Sequence, residues 1–180
     1  MLEAATYILK EEGPLSFTTN KVAERAGVNI ASLYQYYPNK ESLLFHLIEL
    51  QWQRTFDVVY PLLLEEDLSH QKRLHLFIQK FFEIEARERH LKAAISQAGY
   101  LVEGTKEYEK LWSRGLEVLK KFLAGCDQNK SLKKLESDSE FIQHVVTSFS
   151  ENKLFHTWSD HRSDANILGE MICTQFGIAD

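Results

Sequence analysis

Apolar residues recur every three to four positions along most of the chain, a period that predicts α-helices. This spacing predicts helices over residues 2–12, 40–64, 70–87, 91–97, 103–124, 138–158 and 165–176, with two short helices between residues 18 and 37. No stretch shows the convincing alternation of a strand. We therefore predict an all-α protein of about nine helices, in which three short helices, a long connector and a larger bundle follow one another.

Glycine, proline and polar residues mark the expected ends of these helices. Gly13-Pro14 ends the first helix, and Pro61 bends or ends the connector. Residues 125–137 are polar and charged, which predicts a mobile loop. The pattern divides the chain into an N-terminal domain over residues 1–46 and a C-terminal helical domain over residues 47–180.

The residues from Thr18 to Lys40 predict two short helices joined by a tight turn. Gly27 stands where a helix end commonly needs a left-handed residue, and Asn29 is a suitable N-cap for the next helix. Pro38 blocks that second helix from continuing, and Asn39 can cap the connector. A helix, a short turn with glycine and a second helix form the geometry that places a helix in the DNA major groove.

The second of these helices offers side chains suited to DNA. Leu33 and Tyr37 are expected to face the core, which leaves the residues near the helix N-terminus free to meet base edges. Gln35 can pair with adenine, and the backbone at the start of the preceding helix can hold a phosphate. The expected base readers are Ile30, Ala31, Ser32 and Gln35, and the expected phosphate contacts are Thr19, Asn20, Tyr34, Tyr36 and Lys40.

The segment FTTNKVAERAGVNIASLYQYYPNKESLL resembles the N-terminal domain of the TetR family of transcriptional repressors. The matching positions are Thr19, Ala26-Gly27-Val28, Ala31, Leu33-Tyr34, Tyr36-Tyr37, Lys40-Glu41 and Leu43-Leu44. Two features depart from the family pattern. Tyr37 stands where the family more often has Phe, and the family usually has a longer basic segment before the first helix.

The resemblance implies a DNA-binding repressor that acts as a homodimer on a near-palindromic operator. It also implies that the last two long helices form the dimer, and that a small molecule entering the C-terminal bundle releases the DNA. The resemblance covers about the first quarter of the chain, so it identifies no residue of the C-terminal domain.

The charge of the chain argues against DNA binding. The formal net charge is −5, and the residues up to Leu47 hold four lysines and arginines against five glutamates. Basic residues that precede Met1 in the native protein would reconcile the two observations. The alternative function is therefore a helical small-molecule binding or interaction protein that does not bind DNA.

Large aromatic side chains predict an apolar pocket between the connector and the helices at 70–87, 103–124 and 138–158. The same residues are also typical of an ordinary core, which is the better reading for any single one of them. The expected effector is small and apolar or amphipathic. The expected pocket residues are Phe56, Phe77, Phe81, Tyr108, Trp112 and Phe149.

The last two helices carry more large apolar residues than one face against a bundle requires. This excess predicts an isologous homodimer in which two helices from each copy meet, with ordinary core packing as the alternative. The residues concerned are Phe141, Val145, Phe149, Trp158, Ile167, Leu168, Met171, Ile172 and Phe176.

No catalytic pattern is present in the sequence. There is no Glu-x-x-His pair, no Gly-x-Ser-x-Gly, no phosphate loop and no dinucleotide fingerprint, so we expect neither an enzyme nor a metal or cofactor. Cys126 and Cys173 are isolated, as in reduced proteins. With no signal peptide and no apolar run of membrane length, the sequence predicts a cytoplasmic protein.

Overall fold

The computed structural model describes residues 1–155 and 160–179, and the side chains of all of these except residues 153–155. Within these residues all regular structure is helical, which confirms the all-α prediction and its nine helices. The helices are α1 (Leu2–Tyr7), α2 (Thr19–Ala26), α3 (Ile30–Tyr36), α4 (Lys40–Val59), α5 (His70–Arg87), α6 (Arg89–Gly99), α7 (Lys106–Cys126), α8 (Leu132–Phe155) and α9 (His161–Phe176). A π-helical turn over Ile8–Glu12 extends α1, and 3₁₀ turns cover Pro14–Ser16 and Tyr60–Leu64.

The N-terminal unit consists of Met1–Gln53 and Glu88–Glu109. Its core is built from the inner faces of α1 to α4, and α6 packs against the two turns that follow α1. Gln51 at the middle of α4 donates a hydrogen bond to the Glu88 carboxylate just before α6, with Nε2 and Oε2 3.0 Å apart. The expected division of the chain at residue 46 stays a prediction, because this unit gathers residues from both sides of it.

Local capping defines the turn between α2 and α3. Gly27 ends α2 with φ 65° and ψ 30°, a left-handed conformation that is unfavourable for a residue with a Cβ. The Asn29 carboxamide oxygen accepts a hydrogen bond from the Ala31 amide at 2.8 Å and begins α3. Asn39 caps α4 in the same way, with Oδ1 2.7 Å from the Ser42 amide. All three assignments made from the sequence are confirmed.

The second unit consists of Arg54–Arg87 and Lys110–Asp180, and its core is a single apolar cluster. Helix α5 lies at its centre and packs against α8, α9 and the 3₁₀ turn over Tyr60–Leu64. Gly169 lets α9 approach α5 closely, because a Cβ at that position would lie 2.9 Å from Cε1 of His75. Gln79 and Asn166 join the same two helices by a hydrogen bond of 2.6 Å.

Helix α8 begins six residues earlier than the sequence predicts. Its first turn is capped by Ser131, whose Oγ accepts from the Lys134 amide at 3.3 Å. Asp138 then pairs with Lys134 at 2.7 Å and with Lys130 at 3.4 Å. The loop predicted over residues 125–137 is therefore wrong in its second half, because these interactions neutralise the charges that suggested a loop.

Candidate functional site

Helix α3 presents one polar and aromatic face outward. Leu33 is fully buried and fixes the helix on the core, while Ala31 and Gln35 are exposed. Tyr36 is 70% exposed, which is unusual for a large aromatic ring without a partner surface. The remaining predicted contacts of this face are Ile30 and Ser32, both half-buried, and Tyr34, which is exposed.

A polar contact joins the start of α2 to α3. The Thr19 hydroxyl lies 3.1 Å from the Tyr34 hydroxyl, so the two groups share one hydrogen bond. Asn20 is exposed beside them, and Lys40 lies half-buried at the start of α4. The structure thus brings all nine predicted DNA contacts into the N-terminal unit, with two of the phosphate contacts directly bonded to each other.

Several cations of the N-terminal unit have partners within it. Lys21 pairs with Glu12 at 2.9 Å, Lys10 lies 3.5 Å from Glu11, and the Arg25 guanidinium lies 3.2 Å above the Tyr7 ring. These groups line or adjoin an open groove of about 710 Å³ between α1 and α2. Because Lys10 and Lys21 each lie beside a glutamate, the positive potential that this unit presents to an anion is modest.

Six aromatic rings form a row through the core of the second unit. Tyr60 stacks on Phe56 at 4.6 Å and meets Phe77 edge-on at 5.3 Å, measured between ring centroids. The row continues through Phe81 and Phe82 and reaches Phe149, whose ring is parallel to that of Phe82 at 5.5 Å. Four of the six predicted pocket residues, Phe56, Phe77, Phe81 and Phe149, therefore belong to one continuous apolar cluster of the core.

The other two predicted pocket residues lie elsewhere. Trp112 contacts His144 edge-on, with ring centroids 5.1 Å apart, on the α7–α8 side of the second unit. Tyr108 is half-buried and belongs to the N-terminal unit. Their role in a pocket stays a prediction.

A buried polar group lies beside the aromatic row, and sequence reasoning did not select it. The Gln143 amide donates from Nε2 to the Trp112 carbonyl at 3.1 Å. Its Oε1 and the Tyr60 hydroxyl both approach Gly115, where a Cβ would lie 2.7 Å from Oε1 and would overlap the hydroxyl. Burial raises the pKa of Tyr60 and keeps its hydroxyl neutral. The sequence feature that points to this place is Gly115 inside the helix predicted over residues 103–124, because a glycine within a helix indicates close packing.

The outer faces of α8 and α9 expose large apolar side chains. Phe141 is 55% exposed, Ile167 58% and Met171 63%. Leu168 and Ile172 lie in the core instead, so these two members of the predicted patch pack as ordinary core residues. Val145, Phe149 and Phe176 are half-buried, and Trp158 lies outside the described residues.

Neither a metal-binding group nor a membrane helix was found in the part of the chain that the structure describes. No group of three or more His, Cys, Asp or Glu side chains among those residues could hold a metal ion. No helix there is both long enough and apolar enough to cross a bilayer.

The left-handed turn, the two caps and the outward face of α3 define the N-terminal unit as a helix-turn-helix domain. Residues 1–47 match the family model described as bacterial regulatory proteins, tetR family. The nucleoid occlusion factor SlmA of Aliivibrio fischeri (strain MJ11) is 32% identical over 80 residues. That match covers 44% of this chain and only 40% of the relative.

Solved structures share the fold along nearly the whole chain. The fatty acid degradation regulator FadR from Bacillus halodurans superposes with a TM-score of 0.75 at 18% identity, covering 99% of this chain and 97% of that one. FadR from Bacillus subtilis, solved in complex with stearoyl-CoA, gives 0.72 at 20% identity, with 95% of each chain covered. The tetR family model thus matches the first 47 residues, and the chain as a whole shares the fold of these solved regulators.

Proposed function

We propose that this protein is a DNA-binding transcriptional repressor that binds a palindromic operator as a homodimer and is released by a small apolar or amphipathic effector. The observation that carries the proposal is the outward face of α3, held by the Gly27 turn and the Asn29 cap. A repressor of this kind acts where the chromosome is, so the proposal places the protein in the cytoplasm.

Base reading is assigned to Ile30, Ala31, Ser32 and Gln35, the residues of α3 nearest its N-terminus and its outer face. The Gln35 carboxamide can donate to N7 and accept from N6 of adenine, and Ala31 can contact a thymine methyl. Tyr34, Tyr36, Thr19, Asn20 and Lys40 then contact phosphates and fix the register of α3 in the groove. The Thr19–Tyr34 hydrogen bond supports this assignment because it presents both hydroxyls together.

Dimerisation through α8 and α9 is the second part of the proposal. Phe141, Ile167 and Met171 expose apolar surface on both helices, and a two-fold interface would bury it against the same residues of a second copy. Two copies place two α3 helices on two half-sites, which doubles the contacts available to a protein of modest charge.

Effector binding is assigned to the aromatic row of the second unit. A row of six rings offers apolar contact along its length, as ligand sites do. The Bacillus subtilis FadR structure holds stearoyl-CoA, an amphipathic molecule, and shares this fold. This likeness supports an effector with a long or bulky apolar part.

Retention of genomic DNA fragments at low and moderate salt tests the proposal. A repressor retains a selected subset of fragments, and its affinity falls as salt rises because bound phosphates release counterions. Footprinting of the retained fragments should then show two protected half-sites related by a two-fold axis. Lack of retention at every salt concentration would refute DNA binding.

The same experiment separates the second candidate, a helical ligand-binding protein without DNA binding. The Lys21–Glu12 pair favours that candidate, since the carboxylate offsets the positive charge of Lys21 in the N-terminal unit. A protein of this kind would show a thermal shift with ligands and no salt-dependent retention of DNA.

A further inference from the structure

The core of the second unit contains a hydrogen-bond acceptor, on Gln143, that the described residues leave without a donor. Gln143 is 3% exposed, and among the described residues its Oε1 has no hydrogen-bond partner. The orientation of the amide is set by chemistry, since the Trp112 carbonyl can only accept and must therefore face the NH₂ group. A buried acceptor in this state costs free energy, so a core kept for stability alone would place an apolar residue there.

Helix α7 makes room for this acceptor by having no side chain at the contact point. Gly115 lies against Oε1 and the Tyr60 hydroxyl, and a Cβ would overlap both. The Tyr60 ring is itself part of the aromatic row, between Phe56 and Phe77. A polar group thus lies directly against the aromatic row of the core.

We infer that Gln143 recognises a neutral hydrogen-bond donor, a hydroxyl or a primary amide, attached to an apolar chain or ring of the effector. An amide oxygen can accept from such a group but cannot bind a carboxylate or an ether oxygen, which only accept. The apolar part of the molecule lies along the aromatic row. This inference rests on the proposed effector-binding role of the second unit and narrows the class of molecule that it binds.

The ligand test compares two matched molecules, 1-dodecanol and dodecyl methyl ether. Both have a long apolar chain and an acceptor oxygen, and only the alcohol has an O–H group. The wild-type protein should bind the alcohol at least ~10-fold more tightly in a thermal-shift titration, the factor expected for a buried acceptor that gains its donor. Equal binding of the two molecules, or binding of neither, would overturn the inference.

Two substitutions test whether Gln143 causes the preference for the alcohol over the ether. Gln143→Leu should bind the alcohol and the ether equally, while Gln128→Leu, at an exposed position between α7 and α8, should keep the wild-type preference. A Gln143→Leu protein that still prefers the alcohol would overturn the inference.

The ligand-free proteins provide a second readout. Gln143→Leu should melt at or above the wild-type temperature, because it removes an unpaired acceptor from the core. A fall of several degrees would instead show that Gln143 is needed for the fold and would overturn its recognition role. DNA retention is measured separately, so the inference can fail while the repressor function stands.

Discussion

Gln35 and Lys40 lie close in sequence, yet they have different surroundings and different proposed tasks. Gln35 is exposed on α3, which would enter the groove, and Lys40 is half-buried at the start of α4. A carboxamide reads a base edge, whereas an ammonium group attracts any phosphate. In the proposed complex the two residues would therefore separate sequence specificity from general affinity for DNA.

We expect Gln35→Ala to lose about 1–3 kcal/mol of discrimination between the operator and the operator mutated at one base pair. Lys40→Ala should weaken binding to both DNA sequences alike. It should also reduce the slope of log affinity against log salt concentration by about one, because one phosphate contact is lost. Fluorescence anisotropy with the two duplexes at several salt concentrations measures both effects. Equal, uniform losses for the two variants would contradict these roles.

Cys126 shows how burial controls the chemistry of a single residue. Its thiol donates to the Phe122 carbonyl at 3.3 Å, and burial raises its pKa to about 11, an effect that Lys130 and Arg73 partly oppose. The raised value means that the neutral thiol persists well above the pH at which a free cysteine ionises. Only the thiolate reacts with disulfide reagents.

The reaction of Cys126 with a disulfide reagent should therefore be at least ~10-fold slower at pH 8 than that of a free cysteine. Its rate should still rise through pH 10, where the rate of a free thiol has levelled off. Cys126→Ser is the control, since it leaves only the buried Cys173. A rate that levels off near pH 9 would show an ordinary pKa.

At the scale of elements, the start of α8 depends on one buried carboxylate. Asp138 is 2% exposed and pairs with Lys134 and Lys130. Lys130 also donates to the Phe176 carbonyl at 3.3 Å, at the end of α9. The cluster thus joins the first turn of α8 to the last turn of α9, next to the proposed dimer surface.

We expect Asp138→Asn to lower the free energy of unfolding by about 2 kcal/mol, because a neutral amide weakens two charge-assisted hydrogen bonds. Glu136→Gln is the matched control on the same helix. Its carboxylate is exposed and 3.7 Å from Lys120, so its loss should be below about 0.5 kcal/mol. Urea unfolding measures the free energy of unfolding of both variants. Similar losses would show that Asp138 contributes no more to stability than Glu136 does.

The elements also show which features a sequence can predict. The Gly27 turn and the Asn29 and Asn39 caps were predictable because each depends on residues one to four positions apart. The early start of α8 was not, since Lys130 and Lys134 suggest a loop until Asp138 neutralises them. The π-helical turn at Ile8–Glu12 leaves no pattern in the sequence, because its apolar spacing also fits an α-helix.

The candidate sites also contain one part that the sequence predicts and another that it does not. The exposure of Ala31, Tyr34 and Gln35 follows from the period of one short helix whose buried residue is Leu33, so the sequence predicts it. The aromatic row required knowledge of how α4, α5 and α8 pack, which explains why Tyr60, Phe82 and Gln143 were not selected. Helix α6 packs on the turns after α1, a contact between distant segments that no local pattern indicates.

For the whole molecule, the proposed repressor depends on two copies joining through α8 and α9. Ile167 is 58% exposed on the outer face of α9, and the proposed two-fold interface would bury it in both copies. A charge placed there would appear twice at the interface and be buried without a partner. The fold of the single chain would be unaffected, since the side chain is exposed in it.

We expect Ile167→Glu to give a folded monomer, with dimer affinity reduced at least ~100-fold because each unpaired buried carboxylate costs several kcal/mol. Analytical ultracentrifugation measures the dissociation constant, and circular dichroism confirms the fold. Leu64→Glu is the control, because Leu64 is similarly exposed but lies outside α8 and α9. The monomer should also lose most of its operator affinity, as each copy then binds one half-site alone. An Ile167→Glu protein that remains dimeric would locate the interface on another surface.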